Sequence, residues 1–342
     1  MKNQNKKNNS LKYRKQWTNK KVLVTGADGF MGSHLTERLT ELEADVSVFV
    51  RGTSVNGTTQ YTLKKIPPNV KSKIKNFICG DISSHDSIDL IRENSPQIIL
   101  HLAANAYVPF SFQHPIEVMN ANLIGTLNVL EASKQIPNIE RIVCTSSSEI
   151  YGTAQYVPMD EGHPLNPSSP YAASKLAADR YSYSYWNTYD LPIAIIRPFN
   201  TYGPRHVYDV IPFFIKQALL GKPLTVHGTG EQSRDFTYVD DMVDAFLLMG
   251  IHPNAVGNVI NCGSGKDYSI KKIAELIREI SNSSSQIIFD ERRISEVERL
   301  FCNSSKAKEL LGWEAKIDIE EGLKRNIAWC RQNLNLDDLH KK

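Results

Sequence analysis

The feature that most constrains the fold is a short apolar strand that runs directly into a glycine-rich turn and then a helix. Residues 21–25 read KVLVT, and glycines follow at 26, 29 and 32 in a GxxGxxG series. Apolar residues then recur at helical spacing from Ser33 to Leu42, and Asp45 to Val50 predicts a second strand. A turn of this kind lets a pyrophosphate approach the backbone and face the amides of a helix N-terminus. The series therefore predicts a dinucleotide-binding turn.

Strands and helices continue to alternate after this unit. The further predicted elements are strands at 74–78, 97–102, 141–146 and 192–197, and helices at 84–93, 123–134 and 171–189. Alternating elements indicate βαβ units with right-handed crossovers. We therefore expect an α/β fold: a Rossmann doubly wound parallel sheet with a smaller C-terminal α/β substrate-binding lobe.

The pattern divides the chain of 342 residues into three parts. Residues 1–19 form a basic leader that we expect to be disordered, and residues 20–201 form the NAD(P)-binding Rossmann domain. From 202 to 335 glycine and proline interrupt the pattern, which predicts mostly a substrate-binding lobe. Segments of it, such as Phe236 to Met249, are expected to return to the Rossmann sheet.

Composition excludes several classes of function. The leader lacks the apolar core of a signal peptide, and no stretch is apolar for long enough to span a bilayer. The 5 cysteines are scattered, which favours reduced thiols and no metal site. With a net charge of only +3, we expect a cytoplasmic protein that binds neither nucleic acid nor membrane.

Arg51 bears on the choice of dinucleotide. A Rossmann domain usually has an acidic residue about twenty positions after the glycine turn, where it binds the adenosine ribose. This chain has Val50-Arg51-Gly52 there. An arginine can pair with a 2′-phosphate, which slightly favours NADP. The alternative, a solvated arginine at a strand end, leaves NAD open.

Tyr171 and Lys175 form the candidate proton-transfer pair. Their spacing of four residues puts both on one face of the predicted helix. An ammonium group near a phenol favours the phenolate, so the tyrosine can act as a base near neutral pH. The pair follows the glycine turn and a strand that ends in Ser146-Ser147-Ser148-Glu149.

With these motifs in this order, the chain resembles the extended short-chain dehydrogenase/reductase family, in its NAD-dependent epimerase/dehydratase branch. The resemblance covers residues 20–329. It rests on TGADGFMGS at 25–33, GDI at 80–82, HLAA at 101–104, NLIGTLNVLEA at 122–132, YAASK at 171–175 and RPFNTYGPR at 197–205.

The resemblance implies roles for individual residues. Ser147 would bind the 4-hydroxyl of a sugar, Tyr171 would take its proton, and Lys175 would hold the cofactor ribose. The cofactor-binding set would be Gly26, Asp28, Gly29, Phe30, Met31, Gly32, Arg51, Asp81, Ile82, Leu102, Ala103, Ala104, Tyr171 and Lys175. The substrate's nucleoside diphosphate would contact Asn200, Arg205, Arg234 and Arg293.

Glu149 is the residue that bears most on the reaction. Ser147-Ser148-Glu149 resembles the signature of nucleotide-sugar 4,6-dehydratases, in which a carboxylate removes the proton of carbon 5 after carbon 4 is oxidised. Ser148 stands where deoxythymidine-diphosphoglucose dehydratases have an aspartic acid, so Glu149 would serve as base and acid. Residues 149–158 are similar to legionaminic-acid-pathway dehydratases, which implies UDP-N-acetylglucosamine, or a GDP-linked analogue, as substrate.

Three alternatives remain open. A UDP-sugar 4-epimerase would share every residue except a required Glu149, and UDP-glucuronate decarboxylases also carry a Ser-Glu pair after the strand. A non-catalytic dinucleotide sensor on the same fold would be expected to have lost Ser147, Tyr171 or Lys175. Relatives commonly form homodimers through two helices, here 122–134 and 171–189, and the second carries Tyr181, Tyr183 and Tyr185.

Overall fold

The computed structural model describes residues 13–55, 58–60 and 63–333. The predicted leader up to residue 12 lies outside the described residues. Residues 13–17 are helical, and the Trp17 side chain is fully buried, in the space beside Gly250 and Leu100. The prediction of disorder through residue 19 was therefore wrong for its last seven positions, because a large aromatic side chain anchors them in a core.

A seven-stranded sheet is the main structural element. Its strands, in spatial order, are β12 (Val259–Cys262), β8 (Ile193–Pro198), β7 (Arg141–Thr145), β6 (Ile98–His101), β1 (Lys21–Thr25), β2 (Asp45–Val50) and β5 (Asn76–Cys79). In this spatial order, all neighbouring strands from β8 to β5 pair in parallel. The predicted α/β class with a Rossmann sheet is confirmed. The strand order reverses between β1 and β6, so the carboxyl ends of these two strands flank the point where such sheets bind ligands.

The strands of this sheet match the apolar runs of the sequence. Almost every residue of β1, β6 and β8 is buried. Continuous apolar runs are typical of strands that are covered by helices on both faces.

The helices begin and end at recognisable residues. They are α1 (Phe30–Glu41), α2 (Pro68–Lys71), α3 (Asp86–Asn94), α4 (Val108–Gln113), α5 (Pro115–Met119), α6 (Gly125–Lys134), α7 (Pro170–Tyr189), α8 (Val210–Leu219), α9 (Val239–Ile251), α10 (Ile270–Ile280), α11 (Ser305–Leu311) and α12 (Ile319–Asn333). For α7, Ser169 Oγ accepts the Ala172 N–H at 3.1 Å, and Asp190 ends the helix in a left-handed conformation.

The chain divides into two compact units. The first contains the described residues up to Ser147, with Ser169–Arg197 and Val243–Ile260. The second contains Ser148–Ser168, Pro198–Met242 and the described residues from Asn261 onward. The substrate lobe was predicted to begin at residue 202; the second unit begins earlier, at Ser148, and the segment that returns to the first unit is 243–260.

The second unit has small sheets of its own. β10 (Leu224–His227) pairs with β14 (Ile287–Asp290), and β11 (Ser233–Tyr238) pairs with β9 (Asn200–Tyr202), β13 (Asp267–Ser269) and β15 (Arg299–Leu300). In the first unit, β3 (Thr53–Val55) pairs antiparallel with β4 (Thr58–Gln60). None of the helices in the described part of the chain is both long and apolar enough to cross a lipid bilayer.

Candidate active site

The glycine turn lies at the carboxyl end of β1. Gly26 has φ +70°, and an added Cβ there would lie 2.7 Å from the backbone nitrogen of Ala103. At Gly32 a Cβ would lie 2.2 Å from Gly26 O, so α1 packs directly on the turn. Helix α1 begins at Phe30 with no acidic residue in its first turn, and Gly29 has no side chain to cap it. An anion such as a pyrophosphate fits this helix N-terminus.

The other predicted cofactor residues lie in several elements of the first unit. Phe30, Met31 and Gly32 form the first turn of α1, and Asp28 Oδ1 accepts the Lys65 N–H at 3.1 Å. Leu102, Ala103 and Ala104 follow β6. Ile82 is buried, and a Cβ added at Gly125 would lie 2.8 Å from it.

Arg51 lies between two carboxylates. Its guanidinium is 3.9 Å from Asp81 Oδ2 and 3.6 Å from Glu117 Oε1, and its side chain is 68% exposed. Burial opposes ionisation of Asp81, but hydrogen bonds from Ser83 and the Arg51 charge lower its pKa. Two carboxylates beside this arginine reduce its attraction for a further phosphate.

Tyr171 and Lys175 both lie on α7, and both are buried. Lys175 Nζ donates a hydrogen bond to the backbone carbonyl of Thr145, the last residue of β7. Burial lowers the pKa of Lys175 to about 8. Ser147 follows two residues after this strand, and it is also buried. The first unit thus holds Ser147, Tyr171 and Lys175 at one end of β7 and α7.

A buried ion pair supports α7 behind these residues. Asp179 Oδ2 accepts from Nε of Arg197 at 2.9 Å, and both side chains are almost completely buried. Burial opposes ionisation of Asp179, but the hydrogen bonds and charge of Arg197 hold its pKa below the ordinary value. The pair could not be predicted from the sequence, because its two residues are 18 positions apart and no local pattern links them.

Asn122 is a second residue that the sequence analysis did not identify. It lies in a π-helical turn, Asn120–Ile124, that precedes α6. Its amide accepts the Asn105 N–H at 2.7 Å and donates to Ser174 Oγ at 2.9 Å. Turns of this type occur frequently at functional sites. The NLIGTLNVLEA motif was the signal that could have identified it.

Glu149 lies in a short 3₁₀ turn, Ser148–Tyr151, that begins the second unit. Burial raises the pKa of its carboxyl; the charge of Arg234 opposes this, and the carboxylates of Asp209 and Glu296 add to it. Ser148 is buried and starts the turn. Glu149 therefore has a carboxyl whose environment favours the protonated form more than water does.

Arg234 lies on β11 and is nearly buried. Its Nη1 donates to the carbonyls of Ser233 and Val297, and its Nη2 donates to Glu296 Oε1 at 3.1 Å. A guanidinium has five N–H groups. In the part of the chain that the structure describes, these contacts use three of them, which leaves two for a ligand.

The other predicted substrate residues lie in the same unit. Asn200 begins β9, and its Oδ1 is buried with no hydrogen-bond partner among the described residues. Arg205 adopts a left-handed backbone conformation with φ +69°. Arg293 is exposed, two residues before Ser295, which is also left-handed. The second unit thus contains Glu149, Asn200, Arg205, Arg234 and Arg293.

The sheet, the glycine turn and the order of the motifs are those of the extended short-chain dehydrogenase/reductase type, with a Rossmann-like α/β fold. The model of the GDP-mannose 4,6 dehydratase family matches residues 23–326, and the chain belongs to this family. The chain is also similar to proteins that carry names of dehydratases, epimerases and decarboxylases of nucleotide sugars.

Three relatives illustrate the range of activities. UDP-glucose 4-epimerase of Mycolicibacterium smegmatis is 33% identical and matches 91% of this chain and 98% of its own. UDP-glucuronic acid decarboxylase 1 of Xenopus tropicalis is 34% identical over 95% of this chain and 75% of its own. The solved structure of a dTDP-glucose 4,6-dehydratase from Streptomyces venezuelae, with NAD bound, has a TM-score of 0.82 and 27% identity, and covers 91% of this chain and 97% of its own.

Proposed function

We propose that the chain is a nucleotide-sugar 4,6-dehydratase that uses NAD. The single observation that carries this proposal is Glu149, a carboxylic acid two residues after Ser147 with a raised pKa. Elimination of water needs a group that removes one proton and donates another. A carboxyl whose pKa is raised by burial takes up a proton more readily than it does in water, which suits both roles.

The first half of the proposed mechanism uses the first unit. Ser147 orients the 4-hydroxyl of the sugar, and Tyr171 takes its proton. The Lys175 ammonium, held by the Thr145 carbonyl, stabilises the phenolate. A bound NAD would accept the hydride of carbon 4 and later return it to carbon 6.

The second half depends on Glu149. The ketone at carbon 4 acidifies the proton on carbon 5, which Glu149 removes. The same carboxyl then protonates the 6-hydroxyl, which leaves as water. Carbon 5 finally takes up one proton, which balances the proton that Tyr171 removed, and the product is a 4-keto-6-deoxy sugar.

Arg234 supports a nucleoside diphosphate as the part of the substrate that the second unit binds. Its guanidinium is fixed by two carbonyls and Glu296, and its two remaining N–H groups can bind a phosphate. The similarity of residues 149–158 to legionaminic-pathway enzymes favours an N-acetylhexosamine, and we propose UDP-N-acetylglucosamine ahead of its GDP-linked analogue.

The surroundings of Arg51 favour NAD over the NADP that the sequence slightly favoured. Asp81 and Glu117 already balance the arginine, so a 2′-phosphate would meet two carboxylates as well as one guanidinium. NAD presents a neutral ribose there. The NAD bound to the Streptomyces dehydratase agrees with this choice.

A homodimer and a cytoplasmic location are part of the proposal. The tyrosines Tyr181, Tyr183 and Tyr189 are exposed on α7, and Ile116 and Met119 are exposed on α5. Exposed aromatic and apolar side chains on adjacent helices are typical of an interface between copies of a chain.

The test is incubation of the purified chain with UDP-N-acetylglucosamine carrying deuterium on carbon 4, followed by mass spectrometry. We expect a product that has lost one water and has retained the deuterium at carbon 6. The same reaction in D₂O should add one deuterium at carbon 5. An isomer of unchanged mass would instead identify an epimerase, and loss of carbon dioxide from UDP-glucuronate would identify a decarboxylase.

A further inference from the structure

A continuous chain of buried hydrogen bonds begins at the glycine turn. The Ala103 N–H donates to Thr25 Oγ1 at 3.1 Å, and Thr25 Oγ1 lies 2.8 Å from His101 Nδ1. On the other side of the ring, His101 Nε2 lies 3.0 Å from Thr126 Oγ1, which donates to the Asn122 carbonyl at 2.6 Å. Thr25, His101 and Thr126 are all buried.

Each donor in this chain is determined by its neighbours. Thr126 uses its only proton on the Asn122 carbonyl, so it accepts from His101, which must carry its proton on Nε2. His101 Nδ1 is then an acceptor, and the Thr25 hydroxyl donates to it while accepting from Ala103. Burial, followed by the Lys175 charge, lowers the pKa of His101 to about 3, so the neutral ring is maintained.

The series of hydrogen bonds continues towards Tyr171 through the side chain of Asn122. The Asn122 amide donates to Ser174 Oγ at 2.9 Å, and Ser174 Oγ donates to the Tyr171 carbonyl at 2.7 Å. Ala103 touches the glycine turn, because a Cβ on Gly26 would collide with it. One end of the hydrogen-bonded chain therefore lies at the cofactor turn, and the other lies at the backbone of the proposed base.

We propose that His101 is a positioning residue that fixes the cofactor turn through Thr25 and the catalytic helix α7 through Thr126 and Asn122. This inference rests on the proposed function, since it assigns the two ends to cofactor binding and to proton transfer. The ring has one acceptor and one donor on opposite sides, and each side supports a different part of the site.

The bond of His101 to Thr25 and its bond to Thr126 can be removed separately by substitution. In His101→Asn the amide oxygen can occupy the place of Nδ1, so the bond to Thr25 is kept and the bond to Thr126 is lost. In His101→Gln the amide nitrogen can reach the place of Nε2, so the opposite bond is kept. His101→Leu removes both.

The experiment measures the affinity of the full chain for NAD by calorimetry without any sugar, and kcat and KM with the sugar nucleotide at saturating NAD. We expect His101→Asn to keep NAD affinity and lose about tenfold in kcat, and His101→Gln to lose about tenfold in NAD affinity and keep kcat. His101→Leu should lose both, while KM for the sugar nucleotide stays unchanged in all three.

Ser133→Ala is the matched control, because Ser133 is buried on α6 and, among the described residues, its hydroxyl donates to the Val129 carbonyl of the same helix alone. It should lower the melting temperature without changing either readout. Thr126→Val is the second variant if the histidine variants do not fold, and it should behave as His101→Asn does. Wild-type NAD affinity and kcat in folded His101→Leu, or losses that are equal in the Asn and Gln variants, would overturn the proposal. Because the affinity for NAD is measured without sugar, it tests the role of His101 even if no sugar is dehydrated. Failure to dehydrate any sugar would contradict the proposed function and not the positioning role of His101.

Discussion

The guanidinium of Arg234 and the carboxylate of Glu296 form an ion pair of 3.1 Å in which both side chains are almost 90% buried. The Val297 carbonyl, next to Glu296, accepts from the same guanidinium at 2.7 Å. The arginine is therefore fixed in place before any ligand binds, and its charge is partly balanced. Preorganised donors of this kind lose little entropy when an anion binds.

We predict that Arg234→Lys raises KM for the nucleotide sugar by about tenfold with little change in kcat, because an ammonium cannot replace a planar guanidinium fork. Steady-state kinetics measure the two constants. Arg325→Lys is the control, since Arg325 is partly exposed on helix α12 and pairs with Glu321 of the same helix. Equal KM values for wild type and Arg234→Lys would contradict a role in substrate binding.

Lys175 should give opposite pH trends in activity and in stability. Its pKa of about 8 lies below the ordinary 10.5, so the unfolded chain binds more protons between these values. The contribution of Lys175 to the free energy of unfolding therefore rises with pH across this window, while activity falls as the ammonium is lost. Urea unfolding and initial rates, each measured from about pH 7 to about pH 10, test this.

Lys175→Met should accordingly abolish turnover and increase the free energy of unfolding by about 1–2 kcal/mol at neutral pH, since a buried charge is removed. Lys308→Met, at an exposed ion pair with Glu314, should change neither quantity appreciably. A destabilised but active Lys175→Met variant would show that the lysine is structural.

Replacing one residue of the Asp179–Arg197 pair should destabilise the protein more than replacing both. Arg197→Met removes the buried guanidinium from Asp179 and leaves the half-exposed Arg180 as its ionic partner, which should cost about 1.5–3 kcal/mol of stability. The double variant Asp179→Leu/Arg197→Met should recover most of that loss, because no buried charge remains and Arg180 is half-exposed to solvent. Chemical denaturation of the single and double variants measures the difference, and equal stabilities would show that the buried charge is not the cause.

Tyr181→Glu tests the proposed homodimer. Tyr181 is 47% exposed on α7, and a carboxylate in an apolar interface should weaken association by at least roughly a hundredfold. Light scattering after gel filtration reports the mass. Phe289→Glu, at a comparably exposed aromatic on β14, should leave the dimer intact. A monomeric mass for the wild type would contradict the proposed homodimer.

The sequence predicted the Rossmann sheet well because the strands between β1 and β8 are continuous apolar runs separated by helices of ordinary length. Strand bounds differ by one or two residues, as at Asn76–Cys79, where residues 74–78 were expected. The leader was misjudged because composition alone does not show that Trp17 is buried.

Contacts between residues that are far apart in the sequence could not be predicted from local sequence patterns. His101 and Asn122 stand in motifs that the sequence analysis singled out, but their bonds span 25 and 52 positions, to Thr126 and Ser174. The Glu296 partner of Arg234 is 62 residues away. The glycine turn and the Tyr171–Lys175 pair were predictable because strand-turn-helix order and helical spacing are local.

The most direct test of the central claim is to mix Glu149→Gln with UDP-N-acetylglucosamine and follow the near-ultraviolet absorbance of reduced nicotinamide, with mass spectrometry of the sugar. Wild type should release a product lighter by one water with no net reduction of its cofactor. In the variant, carbon 4 should still be oxidised but elimination should stop, so reduced nicotinamide accumulates and no water is lost. Loss of water in Glu149→Gln at the wild-type rate would contradict the role of Glu149 in the dehydration.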